Sequence, residues 1–335
     1  MRPAVNPALA LAGLLAACGA GPSSPGAAGT ELVLALHQLP SLDPATEGHY
    51  EAWLVSADGR RASAGSVVFD GTGGAVLDIS SAGTQVGGIE ISVEPPGDSD
   101  PGQGAQVLLR GDLAAGRAEL SVAGAVTQGR LELTRTPGQF TMFTPSDNPT
   151  SGYPSHEESG VWLFNMAPRD TPQNDMWVRL APLRTGWTYE GWMVRDYGTP
   201  QAIWLSYGKF LPDQTGAVHA RDDTGWGPYS GVPDFRSAGE EEFPGDDWIS
   251  NPLGFPFPAE LTLPLDLREP DGAGGSRWTH VITIEPAWNL GEPIGSERPF
   301  LIRPYRDPFG DGPPGGARTI SFREEGVPRG TAVVR

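Results

Sequence analysis

The sequence holds one cysteine, Cys18, and one lysine, Lys209, and beyond its first twenty residues it has no apolar run long enough to cross a bilayer. A single thiol forms no intrachain disulfide and no cysteine-ligated metal centre, so the fold must rest on its core. Basic residues are scarce, 23 against 41 acidic, for a formal charge of −18. Such a surface repels phosphate backbones and anionic headgroups, which argues against nucleic acid as a partner. The five histidines (His37, His49, His156, His219, His280) never take the close spacing of a zinc-binding helix. There is no Gly-x-Ser-x-Gly elbow, no phosphate-cradling glycine loop and no Asp-x-Asp-x-Asp-Gly calcium loop. Ser206 and Lys209 match Ser-x-x-Lys by letter. That chemistry needs the lysine one helical turn from the serine, whereas this stretch alternates like a strand. No catalytic residue, metal or cofactor is therefore expected.

The N-terminus is informative. Arg2 is followed by an apolar run from Ala8 to Ala17 and then Leu15-Ala16-Ala17-Cys18-Gly19. A bilayer span takes roughly 20 apolar residues, so this run reads as an export signal and not an anchor helix. It resembles a bacterial lipoprotein signal, and the resemblance implies cleavage after residue 17 and lipidation of Cys18. Residues 18–29, rich in Gly, Ala, Pro and Ser, have the composition of a flexible tether. The expected location is the cell envelope, on the outer membrane or cell surface if the cell is diderm, with acyl chains as the only membrane contact.

With 46 glycines and 34 prolines, turns are frequent. Tyr50-Glu51-Ala52-Trp53-Leu54-Val55 recurs as Tyr189-Glu190-Gly191-Trp192-Met193-Val194, and both copies alternate with the period of a strand. Around each copy further strands follow in a shared order. Asp58-Gly59 and Asp70-Gly71 mark hairpin turns in the first. Ile91-Ser92-Val93-Glu94-Pro95 pairs with Ile282-Thr283-Ile284-Glu285-Pro286, and Gly116–Val122 with Gly316–Phe322. A period of about 140 residues is domain duplication, not a solenoid. The expected fold is all-β, two tandem antiparallel β-sandwich (immunoglobulin-like) domains at 30–125 and 126–335. The second is enlarged by an insertion at about 219–260.

Leu39-Pro40, the Tyr50–Val55 strand, Ser63-Ala64-Gly65, Ile91–Pro95 and Val107-Leu108-Leu109 together resemble the extracytoplasmic domain of the anti-sigma-K factor family. The resemblance implies an antiparallel β-sandwich. That family also carries a cytoplasmic sigma-binding domain and a membrane helix, for which no matching segment is found here. An exported, lipid-anchored chain has no direct contact with a cytoplasmic sigma factor.

Two features remain as candidate chemistry. Glu94 and Glu285 hold equivalent strand ends, with Arg110 and Arg303 on the strands that follow. A cross-strand ion pair in each body is the expected arrangement. The insertion carries nine carboxylates, interleaved with Trp226, Tyr229, Phe235, Phe243, Trp248, Phe255 and Phe257. So aromatic a loop either packs onto the sandwich and covers a sheet edge or presents a binding surface. In the second case Trp226, Tyr229 and Trp248 would offer flat faces to a sugar or peptide, with Glu241 and Asp246 accepting hydrogen bonds. The leading expectation is a non-catalytic binding protein with a protein or glycan partner. The alternative is a carbohydrate-active hydrolase using Glu241 and Asp246.

Overall fold

The computed structural model describes residues 30–80, 85–128, 131, 138–144, 157–163, 180–211, 244–251, 254–287, 295, 297–310 and 317–335. Among these residues the protein is all β. The strands are β1 (Glu31–His37), β2 (His49–Ser56), β3 (Arg61–Ser66), β4 (Gly74–Asp78), β5 (Val86–Glu94), β6 (Val107–Asp112), β7 (Arg117–Ser121), β8 (Gly138–Thr141), β9 (Gly160–Trp162), β10 (Trp187–Arg195), β11 (Ile203–Phe210), β12 (Gly245–Asp247), β13 (Trp278–Pro286), β14 (Ile302–Pro308), β15 (Ala317–Ile320) and β16 (Arg329–Val334).

Eight of them form one sheet in the order β3-β2-β5-β6-β7-β16-β1-β4. It curls until its end strands β3 and β4 approach each other, which leaves little open edge. The alternation in the sequence sets its inner face: Leu32, Leu34 and Leu36 of β1, Tyr50, Ala52 and Leu54 of β2, and Ile89, Ile91 and Val93 of β5 are all buried. The turns expected at Asp58 and Asp70 are present. Gly59 and Gly71 take φ of +81° and +87°, where a side chain is disfavoured, and the Asp70 carboxylate accepts the backbone N–H groups of Thr72 (2.8 Å) and Gly74 (3.1 Å).

The remaining strands make two four-stranded sheets, β11-β10-β13-β14 and β12-β9-β8-β15. They touch along β14 and β15, where Tyr305 bridges Phe322. One hydrophobic cluster runs through the whole protein, from Leu32 and Ile91 to Tyr189, Trp278 and Tyr305.

The chain order departs from the expected boundary in one respect. Residues 329–334, expected with the second body, form β16 between β7 and β1 of the first sheet. Leu32 pairs with Val334, and Ser121 with Arg329. No period in the sequence announces this return, because a strand pattern does not name its neighbour.

The two tyrosine–tryptophan segments occupy the same place in their sheets. β2 lies between β3 and β5, and β10 between β11 and β13. Tyr50 opposes Val93 and Trp53 opposes Glu90, while Tyr189 opposes Ile284 and Trp192 opposes Val281. Both carry a bulge before the tryptophan, between Ala52 and Trp53 and between Gly191 and Trp192. The bulges skip Ala64 on β3 and Tyr207 on β11. That difference explains the one change of backbone character between the two segments. A Cβ on Gly191 would run into the Tyr207 ring, whereas the residue skipped opposite Ala52 is the small Ala64.

Candidate functional site

Of the residues singled out in the insertion, Trp226, Tyr229 and Glu241 lie outside the described residues, as does Cys18. Asp246 and Trp248 are described, and neither faces outward. Asp246 sits in β12 opposite Val161, and both it and Trp248 have no exposed surface. Trp248 is fixed by its own backbone, donating to Ser159 (2.8 Å) and accepting from Leu265 (2.9 Å). Phe255 and Phe257 are partly buried against the same cluster. The part of the insertion that is described therefore covers the core. Trp248 and Asp246 do not offer a face or a carboxylate to a ligand, because Gly245, Asp246, Asp247 and Trp248 are all buried, with both faces of the segment covered.

The ion pairs expected between Glu94 and Arg110 and between Glu285 and Arg303 do not form. Both glutamates instead end a buried relay. In the first body the Trp53 indole donates to Ser92 Oγ (2.8 Å), Ser92 donates to Glu94, and Glu94 accepts the Gly104 N–H (3.1 Å). In the second, Trp192 donates to Thr283 Oγ1 (2.9 Å), Thr283 donates to Glu285, and Glu285 accepts the Phe300 N–H (2.8 Å). Each relay ties two strands to the loop that follows, and it gives polar atoms partners where water cannot reach them. The Arg303 guanidinium lies 4.6 Å over the Trp204 ring. By register the counterpart of Arg110 is Arg306, not Arg303, since Glu90 opposes Arg110 and Val281 opposes Arg306.

The second body also buries titratable groups. Glu190 accepts from Ser206 Oγ (2.7 Å) and lies 3.7 Å from Lys209 Nζ. Burial, with Glu285 nearby, pushes its carboxyl well above the usual range. Ser206 is thus a donor to a glutamate inside a strand, not a nucleophile held by Lys209. His280, fully buried, shares a 2.9 Å hydrogen bond with the Tyr207 hydroxyl, and burial lowers it to about 3. Glu190, Lys209 and His280 are all closed off from solvent, so no substrate reaches them as they stand.

One feature open to solvent lies between the eight-stranded sheet and the segment that leads into β10. A cavity of about 520 Å³ is bounded by Arg61 of β3, Glu90 of β5, Val107 and Arg110 of β6, the connecting residues Gly124, Ala125 and Gln128, and Arg184 and Thr185 before β10. Backbone pairing holds the connecting segments together: Arg184 N donates to Val126 (2.8 Å) and Gln128 N to Pro182 (2.9 Å). Gly186, at φ +95°, passes so close to Ala105 that a Cβ would sit 3.0 Å from its carbonyl oxygen. On the cavity wall Glu90 receives Arg61 through Nε (2.7 Å) and Nη2 (3.2 Å), Gln103 (3.0 Å), and Arg110 at 3.6 Å. Burial alone would favour the neutral acid, but the hydrogen bonds from Arg61 and Gln103 and the two guanidinium charges hold its carboxyl below the usual range.

The matching position in the second body lacks the buried carboxylate, and its arginine, Arg306, pairs instead with the exposed Glu325 (2.8 Å). Register replaces Arg61, Glu90 and Arg110 by Trp204, Val281 and Arg306. There Trp192, Val194 and Val281 form a small apolar cluster with Tyr197 and Trp204, and Arg306 packs 4.7 Å over the Tyr197 ring and donates to its hydroxyl (2.7 Å). The scaffold thus closes without the buried carboxylate.

Fold and site define an antiparallel all-β protein with one polar, arginine-walled cavity and no exposed catalytic constellation among the described residues; no group of side chains there is arranged to hold a metal. Residues 10–106 match the family model described as anti-sigma-K factor rskA, C-terminal. The described part of that stretch holds β1 to β5 and stops just before β6. No curated protein and no solved structure matches the chain.

Proposed function

We propose that this chain is a non-catalytic, lipid-anchored cell-envelope protein whose anti-sigma-factor-like module, present in two copies, binds a protein or glycan outside the cytoplasm. The observation that carries the reading is the family match over residues 10–106, which is to the C-terminal part of that family. The shared register of β2 with β10, the shared bulge and the paired relays support a duplicated unit. In this reading each copy is a sandwich-type unit of eight strands. β7 and β15 are equivalent, and the strand that follows each has crossed to the other copy: β8 beside β15, β16 beside β7. Gly138 and Gly330, opposite Ile320 and Leu120, hold the same place in the exchanged strands. The lipoprotein-like N-terminus supplies the anchor, and among the described residues no helix is long and apolar enough to cross a membrane.

The test is fractionation of cells producing the full chain or Cys18→Ala, with radiolabelled palmitate. The wild type should take up label and stay with membranes through a high-salt wash, and the variant should be unlabelled and released. Equal behaviour of the two would sink the anchor. Binding without turnover is read on a panel of envelope polysaccharides. Hydrolysis of any of them, lost in Glu241→Gln or Asp246→Asn, would replace the binding role with a hydrolase.

A further inference from the structure

We propose that the arginine-walled cavity between the eight-stranded sheet and the segment leading into β10 binds a small, hydroxyl-bearing anion of sugar size whose carboxylate or phosphate is held by Arg110 and Arg184. This rests on the reading of the chain as a binding module and gives that module its site.

Charge is the first argument. The chain is strongly acidic, yet three arginines, Arg61, Arg110 and Arg184, face this one cavity against the single carboxylate of Glu90. Several other arginines meet carboxylates locally. Arg195 and Arg277, for example, are matched one for one by Glu269 and Asp196. At the cavity Glu90 is nearly saturated by Arg61 and Gln103, and Arg110 stands further off at 3.6 Å with its side chain 43% exposed. The Arg184 side chain is exposed, and only its backbone is bonded. A guanidinium presents a planar fork of donors matched to carboxylate or phosphate oxygens.

Shape and chemistry set the ligand class. About 520 Å³ is within the range of roughly 300–1,000 Å³ seen for small-molecule sites. Val107, Gly124 and Ala125 give it an apolar wall, Thr185 adds a hydroxyl, and Gln128, whose Nε2 donates to Leu183 O (3.1 Å), adds an amide oxygen suited to a polyol. The second body provides the internal control. Its equivalent surface packs Trp204 onto the Val281 cluster and turns Arg306 to Tyr197 and Glu325, so a buried carboxylate bridging arginines is not a requirement of the scaffold. A group retained in one copy at a solvent-open cavity, and dispensable to the fold in the other, is placed for a ligand.

The experiment is isothermal titration of the full-length chain in detergent with glucuronate, inorganic phosphate and uncharged glucose, at two salt concentrations. Saturable binding of glucuronate or phosphate, weakened at least tenfold in Arg184→Ala and further in Arg184→Ala/Arg110→Gln, is the expected result. Glucose should bind at least tenfold more weakly than glucuronate. Preference for glucuronate over phosphate identifies a sugar acid, and the reverse a phosphorylated ligand. Arg184 makes no side-chain contact that the fold needs, so circular dichroism and melting of Arg184→Ala should be unchanged, which separates lost binding from lost folding. No binding of either anion, equal affinity for glucose, or full affinity in the double variant would overturn the assignment. Failure here, with palmitate labelling and polysaccharide binding intact, would discard the cavity and leave the envelope-binding role standing.

Discussion

Replacing Thr283 by valine removes one hydroxyl and keeps the volume of the side chain, so its cost reports the relay and little else. That hydroxyl accepts from the Trp192 indole at 2.9 Å and donates to Glu285. After the change, a tryptophan with 1% of its surface exposed keeps an N–H with no acceptor, at about 1–3 kcal/mol. Glu285 keeps the Phe300 N–H but loses the hydrogen bond from the hydroxyl, a further ~1 kcal/mol. The expected loss is about 2–4 kcal/mol. Ser92→Ala in the first body removes the same two bonds, from Trp53 and to Glu94, and should fall in the same range with a small cavity added. Equilibrium urea unfolding measures both, followed by tryptophan fluorescence and circular dichroism with the slope held fixed. Because the two relays share no partner, the double variant should equal the sum of the singles within about 0.5 kcal/mol. A loss below about 0.5 kcal/mol for Thr283→Val would mean that the relay is geometric coincidence and not a source of stability.

Gly191→Ala should destabilise by about 1–3 kcal/mol through overpacking on the Tyr207 ring; combined with Tyr207→Ala it should cost clearly less than the two singles added, as read by thermal denaturation. His280 is held neutral in the folded state down to about pH 3, while the unfolded chain takes up a proton below about 6.5. Stability should therefore fall by up to ~1.4 kcal/mol per pH unit as the pH drops from about 6.5 towards 3. A plot of the stability difference between wild type and His280→Gln against pH isolates this slope, and a flat line refutes it. Truncation after Pro328 removes β16 and bares the edges of β1 and β7; hydrogen exchange should then show protection lost first in those two strands, and unchanged protection there would contradict the pairing.

Much of the strand pattern was legible because a period of two is a local property. Tyr50–Val55 and Tyr189–Val194 announced paired strands, and Asp58-Gly59 and Asp70-Gly71 announced turns. Partners across strands were less legible. Glu94 and Arg110 looked like an ion pair because both end neighbouring strands, but those strands are antiparallel, so the end of β5 meets the start of β6. Glu90 therefore opposes Arg110, and Glu94 is left to its serine. Arg303 was matched to Arg110 by its letters, Leu301-Ile302-Arg303 against Leu108-Leu109-Arg110, and the pairing moves that role three residues on, to Arg306. The arginine-walled cavity was missed altogether: Arg61, Arg110 and Arg184 are scattered along the chain and meet only through sheet order. One signal was present, the change from Glu90 to Val281 inside two otherwise matching strands. For Trp248, composition showed an aromatic insertion but not which rings turn inward.

The position of the last strand has a temporal meaning. Arg335 receives the backbone N–H groups of Thr30 and Glu31, so the first described residue and the final one are stitched together. A ribosome delivers β1 and β7 long before the strand that separates them, and during that interval both would display unfilled backbone edges to any passing chain. The sheet begun by β1 is thus finished only when β16 arrives, so β1 to β7 do not mature as a unit by themselves. A reporter fused behind Arg335 would emerge beside Thr30, where β1 begins.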